Sequence, residues 1–198
     1  MLRRTIKTLT IDLPAFNLVV PPWVSEALPD PGHAYPTPEA KMELAIGLSR
    51  LNVERRFGGP FGAAIFDLSN NRVVAVGMNL VIPARCSVAH AEMVAIILAQ
   101  QKLRTHDLQS AGDAGFELVT STAPCAMCLG AIPWSGVRSV VCGARDEDAR
   151  GIGFDEGSKP PDWVGTLRKR DISVVCDVRR DEACSVLQLY ANNGGTLY

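Results

Sequence analysis

Residues 61–103 read FGAAIFDLSNNRVVAVGMNLVIPARCSVAHAEMVAIILAQQKL, and this stretch decides the fold class. Phe61 to Asp67 and Arg72 to Met78 are two apolar runs joined by the polar turn Ser69-Asn70-Asn71, the pattern of a β-hairpin. His90 to Leu103 follows as a helix, with Met93, Ile96, Ile97 and Gln100 at helical spacing along its inner face. Upstream, Thr37 can cap a helix that has Pro38 at its first position and Met42, Ala45, Leu48 and Leu51 along one side. Gly58-Gly59-Pro60 ends that helix. Downstream come a strand over Phe116–Ser121, a short helix over Cys125–Ile132, and strands over Val137–Cys142 and Ser173–Val178. A closing helix over Asp181–Ala191 is stopped by Asn193-Gly194-Gly195. Helix, hairpin, then alternating helix and strand predicts a three-layer α/β domain in which helices cover a mixed sheet.

The chain has 198 residues, enough for one substantial core and too few for two independent catalytic domains. The reading divides it into an N-terminal extension, residues 1–36, packing on a domain that spans 37–198. Leu2 to Leu13 is expected to be extended, and Pro14 to Pro36 to wrap the surface as an arm. The run from Gly151 to Pro161 reads as a functional loop rather than a boundary. Twenty basic residues against 21 acidic ones leave a formal charge of −1, which offers no broad positive field for a nucleic-acid backbone. Arg168-Lys169-Arg170 reads as an ordinary solvated turn.

No run approaches the roughly 20 apolar residues of a membrane span. Arg3 and Arg4 are followed by Asp12, Pro14, Pro21 and Pro22, which interrupt any secretory signal. The expectation is therefore a cytoplasmic protein with reduced cysteines. Cys142 and Cys176 lie in apolar strand-like runs and read as small buried hydrophobes; Cys86 and Cys184 receive no assignment.

Three cysteine and histidine positions read as metal ligands. His90 opens one helix in His90-Ala91-Glu92, and Cys125 and Cys128 open another in Pro124-Cys125-Ala126-Met127-Cys128. A separation of three residues puts both thiols on one side of a first helical turn, where free backbone amides favour thiolate. One imidazole and two thiolates make a zinc site with a fourth position left for water, the pattern of a catalytic rather than a structural site. Glu92 shares the helical start with His90 without being a ligand, which suits it to handle that water's proton.

These two segments are similar to the zinc signature of the cytidine-deaminase-like superfamily. Gly59-Pro60-Phe61-Gly62-Ala63, Gly77-Met78-Asn79 and Cys128-Leu129-Gly130-Ala131-Ile132 with Trp134 extend the likeness to the branch of guanine deaminases and tRNA adenosine deaminases. The resemblance covers about residues 40–158 and implies a mixed five-stranded sheet, a homodimer, and hydrolytic removal of an amino group from a nucleobase in purine metabolism. Gly151-Ile152-Gly153-Phe154-Asp155-Glu156 resembles the Gly-Phe-Asp-Asp stretch of bacterial guanine deaminases. By that likeness Glu156 is a second proton-transfer group, and Asn79 hydrogen-bonds the base. Phe61, Ala91, Trp134 and Phe154 are implied to shape the pocket, with Trp134 alternatively at a dimer interface and Phe154 alternatively an anchor for its own loop. Tyr198, behind the hinge glycines Gly194 and Gly195, is implied to close as a C-terminal lid.

The chain departs from that branch at three places. Ala123 stands where Glu is frequent, Pro133 where an aromatic is common, and Glu156 is one methylene longer than Asp. The expected substrate is free guanine, with an amino-triazine such as ammeline presenting a similar edge. The alternatives are a tRNA adenosine deaminase, a cytosine- or cytidine-type deaminase, and a zinc-stabilised scaffold subunit without activity.

Overall fold

The computed structural model describes residues 17–28, 30 and 32–198. The segment Leu2–Leu13 expected to be extended lies outside them. The arm before the domain contains a short helix, α1 (Trp23–Ala27), whose Trp23 and Val24 are buried. Helix α2 (Pro38–Glu54) starts as its sequence predicts, with the Thr37 hydroxyl accepting from the Ala40 amide at 3.2 Å.

Strands β1 (Gly62–Asp67) and β2 (Arg72–Met78) form the hairpin. Then come α3 (Val81–Ala84), α4 (Ala91–Leu103), a 3₁₀ turn over Leu108–Ala111, β3 (Phe116–Thr122) and α5 (Ala126–Ser135). The chain continues through β4 (Ser139–Ala144), α6 (Asp146–Gly151), α7 (Trp163–Arg168), β5 (Ser173–Val175) and α8 (Arg180–Asn192). The five strands form one sheet in the order β2-β1-β3-β4-β5. β1 is antiparallel to both neighbours, whereas β3, β4 and β5 are parallel.

Two apolar clusters cover the sheet, one built with α2 and α8 and the other with α4, α5 and α7. This is the three-layer α/β/α arrangement of a mixed five-stranded sheet. One polar link crosses from helix to sheet in the dry interior. Lys41 on α2 contacts Glu117 on β3 at 2.8 Å, and the Ser139 hydroxyl donates to the other Glu117 oxygen at 2.7 Å.

The inner face of α4 differs from the expected one. Ala91, Val94, Ala95 and Ala99 are fully buried and Ile96 is buried as expected, whereas Met93, Ile97 and Gln100 are only partly so. This helix is apolar on nearly every side, so periodicity does not choose a face. Close approach to β2 chooses it: a Cβ on Gly77 would stand 2.0 Å from the Ala91 carbonyl oxygen and 2.6 Å from the Ala95 nitrogen. Only small residues fit there. α5 also runs past its expected end at Ile132 to Ser135, taking Pro133 inside it, and Gly136 at φ 82° stops it. Cys142 is buried, but Cys176 is exposed: β5 ends at Val175, so Cys176 falls outside the strand that was expected to bury it. Arg168, Lys169 and Arg170 are exposed at the end of α7.

Candidate active site

The functional residues gather at one end of the sheet, where β1 begins and β2, β3 and β4 finish. β1 runs opposite to β2 and β3 here, so the loop entering β1 meets the loops leaving β2, β3 and β4. The Gly62 amide donates to Ser121 Oγ at 3.1 Å, and the Asn79 amide donates to the Phe61 carbonyl at 3.0 Å. These bonds register the start of β1 against the ends of β3 and β2.

His90 is the residue before α4, and Cys125 the residue before α5; both have extended backbone. Their side chains therefore leave the helices at the N-terminal ends and converge. The ligand atoms of His90, Cys125 and Cys128 all lie within 4.8 Å of one another, and His90 Nδ1 is 3.5 Å from Cys125 Sγ. A tetrahedral zinc with bonds of about 2.05 Å to nitrogen and 2.3 Å to sulfur holds such a pair roughly 3.5 Å apart. The donor set fits zinc.

Electrostatics follow the same geometry. A hydrogen bond from Cys128 lowers the Cys125 thiol to about 4, so this sulfur is a thiolate at neutral pH. Cys128 shifts upward because it donates that bond and is buried. Burial pulls His90 down, but its bond to Cys125 and the charges of Glu92, Cys125 and Glu156 outweigh this and leave it raised.

Glu92 and Glu156 are both buried, 6% and 5% exposed, and the Glu92 charge adds to the upward shift of Glu156. Burial followed by the Cys125 charge raises Glu92 to about 7 and Glu156 to about 8. A bound dication would favour the ionised form of each and draw both back down. Two carboxyl groups poised around one metal set are the arrangement needed for repeated proton transfer near neutral pH.

Asn79 is completely buried. Its Oδ1 accepts from the Tyr198 hydroxyl at 2.6 Å and from the Val81 amide at 3.3 Å, which assigns the other end of the amide as the donor. That Nδ2 has no partner among the described residues. A buried unpaired donor costs stability unless a ligand supplies an acceptor.

Phe154 is buried at the centre of an aromatic group. Its ring meets Phe61 edge-on at 4.8 Å and Tyr198 at 5.5 Å, and it stacks on Tyr190 at 5.8 Å. Tyr198 thus folds back over Phe154 and Asn79 of its own chain. Ala91 is fully buried against β2 at the start of α4. Trp134 is not drawn into this group. It stands 83% exposed near the end of α5, beside a 260 Å³ groove that it shares with Leu129, Pro133 and Ser158.

Sequence reasoning missed two supporting residues. The Asn52 side chain donates to the carbonyls of Gly59 and Asn79, both at 2.9 Å, and so ties α2 to two walls of the site. Lys159 donates to the Pro124 carbonyl at 2.8 Å. Neither has a motif; each is recognisable only by what the fold brings to it.

Residues 36–144 match the cytidine and deoxycytidylate deaminase zinc-binding region. The chain belongs to this deaminase family. Its cofactor is zinc, and it is a zinc-dependent aminohydrolase. The deaminase is 36% identical to a guanine deaminase from Bacillus subtilis over 118 residues, which are 60% of this chain and 71% of that one. A structure of the guanine deaminase from Nitrosomonas europaea is 45% identical and superposes with a TM-score of 0.83, covering 92% of this chain and 98% of the other. NE0047 in complex with 2,6-diaminopurine is 46% identical, with a TM-score of 0.86 over 93% of this deaminase and 96% of that chain.

Proposed function

We propose that this deaminase converts free guanine to xanthine with release of ammonia. The observation that carries the reading is the pair of buried carboxyl groups, Glu92 and Glu156, held around the His90-Cys125-Cys128 set. Relatives solved with 2,6-diaminopurine and 8-azaguanine support a purine ring as the occupant. When bound, zinc supplies Lewis-acid activation of the attacking water.

The chain's own groups do the rest. Asn79 Nδ2 donates to an acceptor on the ring and satisfies its own buried donor in doing so. Phe154 and Phe61 cover the ring face and keep bulk water out. Guanine C2 lies between N1 and N3, so proton traffic has two edges. Glu92 accepts a proton from the water as it adds to C2 and passes it to the adjacent ring nitrogen. Glu156 carries the second proton to the amino group, which leaves as ammonia, and the C2 carbonyl of xanthine remains.

Tyr198 acts as a lid in this reading. Its hydroxyl holds Asn79 in the closed chain, and Gly194 at φ 65° supplies the turn on which the tail swings. The deaminase works as a homodimer in which the exposed Trp134 is covered, because an isolated tryptophan on a helix is a frequent interface anchor. Two zinc thiolates suit a reducing cytoplasm. A near-neutral chain without a basic track disfavours a nucleic-acid substrate. Among the described residues, no helix is long and apolar enough to cross a membrane.

Ammonia release from a panel of free bases, nucleosides, ammeline and tRNA tests the assignment. Guanine should give the highest kcat/KM. Turnover of tRNA or cytidine with none of guanine would overturn it.

A further inference from the structure

Lys159 is a buried cation that the proposed chemistry does not use. Its side chain is 5% exposed, and its ammonium lies 2.8 Å from the Pro124 carbonyl oxygen and 2.6 Å from Asp146 Oδ1. The approach to Asp146 is an ion pair without an aligned hydrogen bond, so Pro124 is the directional partner. Burying an ammonium is costly unless its partners are well placed, and an apolar side chain would fill the same space at less cost. What an ammonium adds is the ability to bind a carbonyl and a carboxylate at once.

Both partners lie outside the Glu156 loop, one just before α5 and the other at the start of α6. Pro124 immediately precedes the ligand Cys125. Asp146 opens α6 and also contacts Arg150 Nε at 3.2 Å. Arg150 in turn donates to the Gly157 carbonyl at 2.6 Å. On the same segment as Pro124, the Ala126 amide, next to Cys125, donates to the Glu156 carbonyl at 2.9 Å. Gly157 has φ 67°, and a Cβ there would stand 2.9 Å from the Ala126 Cβ. The loop therefore lies directly on the first turn of α5, with charged ties at Gly157 and Lys159, immediately after Glu156.

We propose that Lys159, acting with Asp146 and Arg150, is a positioning residue that clamps the Glu156 loop to the start of α5 and so fixes where the Glu156 carboxyl stands. The inference rests on the reading that Glu156 transfers a proton to the leaving amine. Residues 152–162 are a loop outside any helix or strand; Phe154 anchors it before Glu156, and without the clamp the backbone bond from Ala126 would be left to hold Glu156 and the residues after it against α5. Displacement by a fraction of an ångström is enough to slow a proton transfer whose geometry matters only in the transition state.

The test uses the full chain loaded with zinc, as wild type, Lys159→Met, Lys159→Arg and Asp146→Asn. Lys159→Met should lower kcat on guanine by about 10–100-fold, the usual effect of removing a group that orients a functional residue, with little change in KM and with zinc content retained. Lys159→Arg, which keeps a cation and donors for Pro124, should recover most of the loss. Combined with Glu156→Asp, Lys159→Met should cost much less than the product of the two separate losses, because both act on one carboxyl. Hydrogen exchange provides a readout independent of turnover. Amides of residues 153–159 should exchange faster in Lys159→Met and in Asp146→Asn, while those of the sheet stay unchanged.

Unchanged exchange over 153–159 in both variants would overturn the clamp, whatever the activity. So would a multiplicative loss with Glu156→Asp. If wild type does not turn over guanine, the substrate assignment fails and the exchange experiment alone decides the clamp.

Discussion

Glu92 lies one residue beyond Ala91 in the first turn of α4, and its role is separable from metal binding. Glu92→Gln keeps the size of the side chain and leaves His90, Cys125 and Cys128 in place. It should retain zinc, measured by metal analysis, while kcat falls by about 10²–10⁴-fold, the contribution expected of a general acid-base group. Near-normal turnover with zinc bound would remove Glu92 from the proton path. Asn79 makes a different prediction, since its free Nδ2 is a donor to the ring rather than a proton carrier. Asn79→Ala should weaken binding of purine analogues by about 1–3 kcal/mol, measured by calorimetry, a loss associated with removal of a buried hydrogen-bonding partner. At this scale the sequence was readable for the ligands, because two thiols three residues apart and an acid two residues after a histidine are local patterns. Lys159 and Asn52 were not, because their partners lie on segments that only the fold brings near.

At the scale of elements, the site depends on how closely α4 lies on β2. Gly77 faces the Ala91 carbonyl and the Ala95 backbone at distances that exclude any side chain. Gly77→Ala should push the start of α4 off the sheet and carry His90 away from the two thiols. The expected outcome is a lower Tm together with loss of zinc during dialysis; full zinc occupancy would show that the helix can shift without moving its first residue. The Lys41–Glu117 contact is the corresponding tie between α2 and β3. Lys41→Met leaves the Glu117 carboxylate without its partner in the interior and should cost about 3–5 kcal/mol in urea unfolding. Adding Glu117→Gln should return part of that loss, because no uncompensated buried charge remains. The five strands and helices α2, α4, α5 and α8 were legible from apolar runs and turn residues; the short helices α1, α3, α6 and α7, of four to six residues, were not, because so short a run shows no periodicity. The buried face of α4 was not, since an evenly apolar helix contains no instruction about which side meets the sheet.

Across the whole molecule, the closing helix is joined to the catalytic half by charge. Arg180 on α8 donates to both oxygens of Asp148 on α6, at 2.8 and 2.7 Å, and the Arg145 amide adds a third bond at 2.7 Å. The Arg180 bond, against some opposing burial, holds the Asp148 carboxyl well below its ordinary value of 3.8. A carboxyl depressed in the folded state stabilises the fold above its unfolded value, and that contribution disappears as pH falls through the folded one. Asp148→Asn should therefore have a lower Tm than wild type at pH 7. The gap should narrow as pH falls below about 4, where the wild-type carboxyl begins to lose its advantage. A constant gap between pH 7 and pH 3 would mean that the difference is one of packing rather than ionisation. On the same scale, Trp134→Asp should shift the chain from dimer to monomer in sedimentation velocity, and a monomeric wild type would remove the interface reading.

By itself the sequence determined the metal set, its neighbouring acid and the order of the strands and longer helices, because each is encoded within a few consecutive residues. Only the tertiary structure decided how Glu156, Phe154, Asn79, Tyr198 and Lys159 meet. They lie on segments whose relative positions follow from the pairing of β1 with β2 and β3 and from the packing of α4 and α5 on that sheet. Such contacts depend on the sum of many weak burial terms across the chain, and no local spacing records that sum.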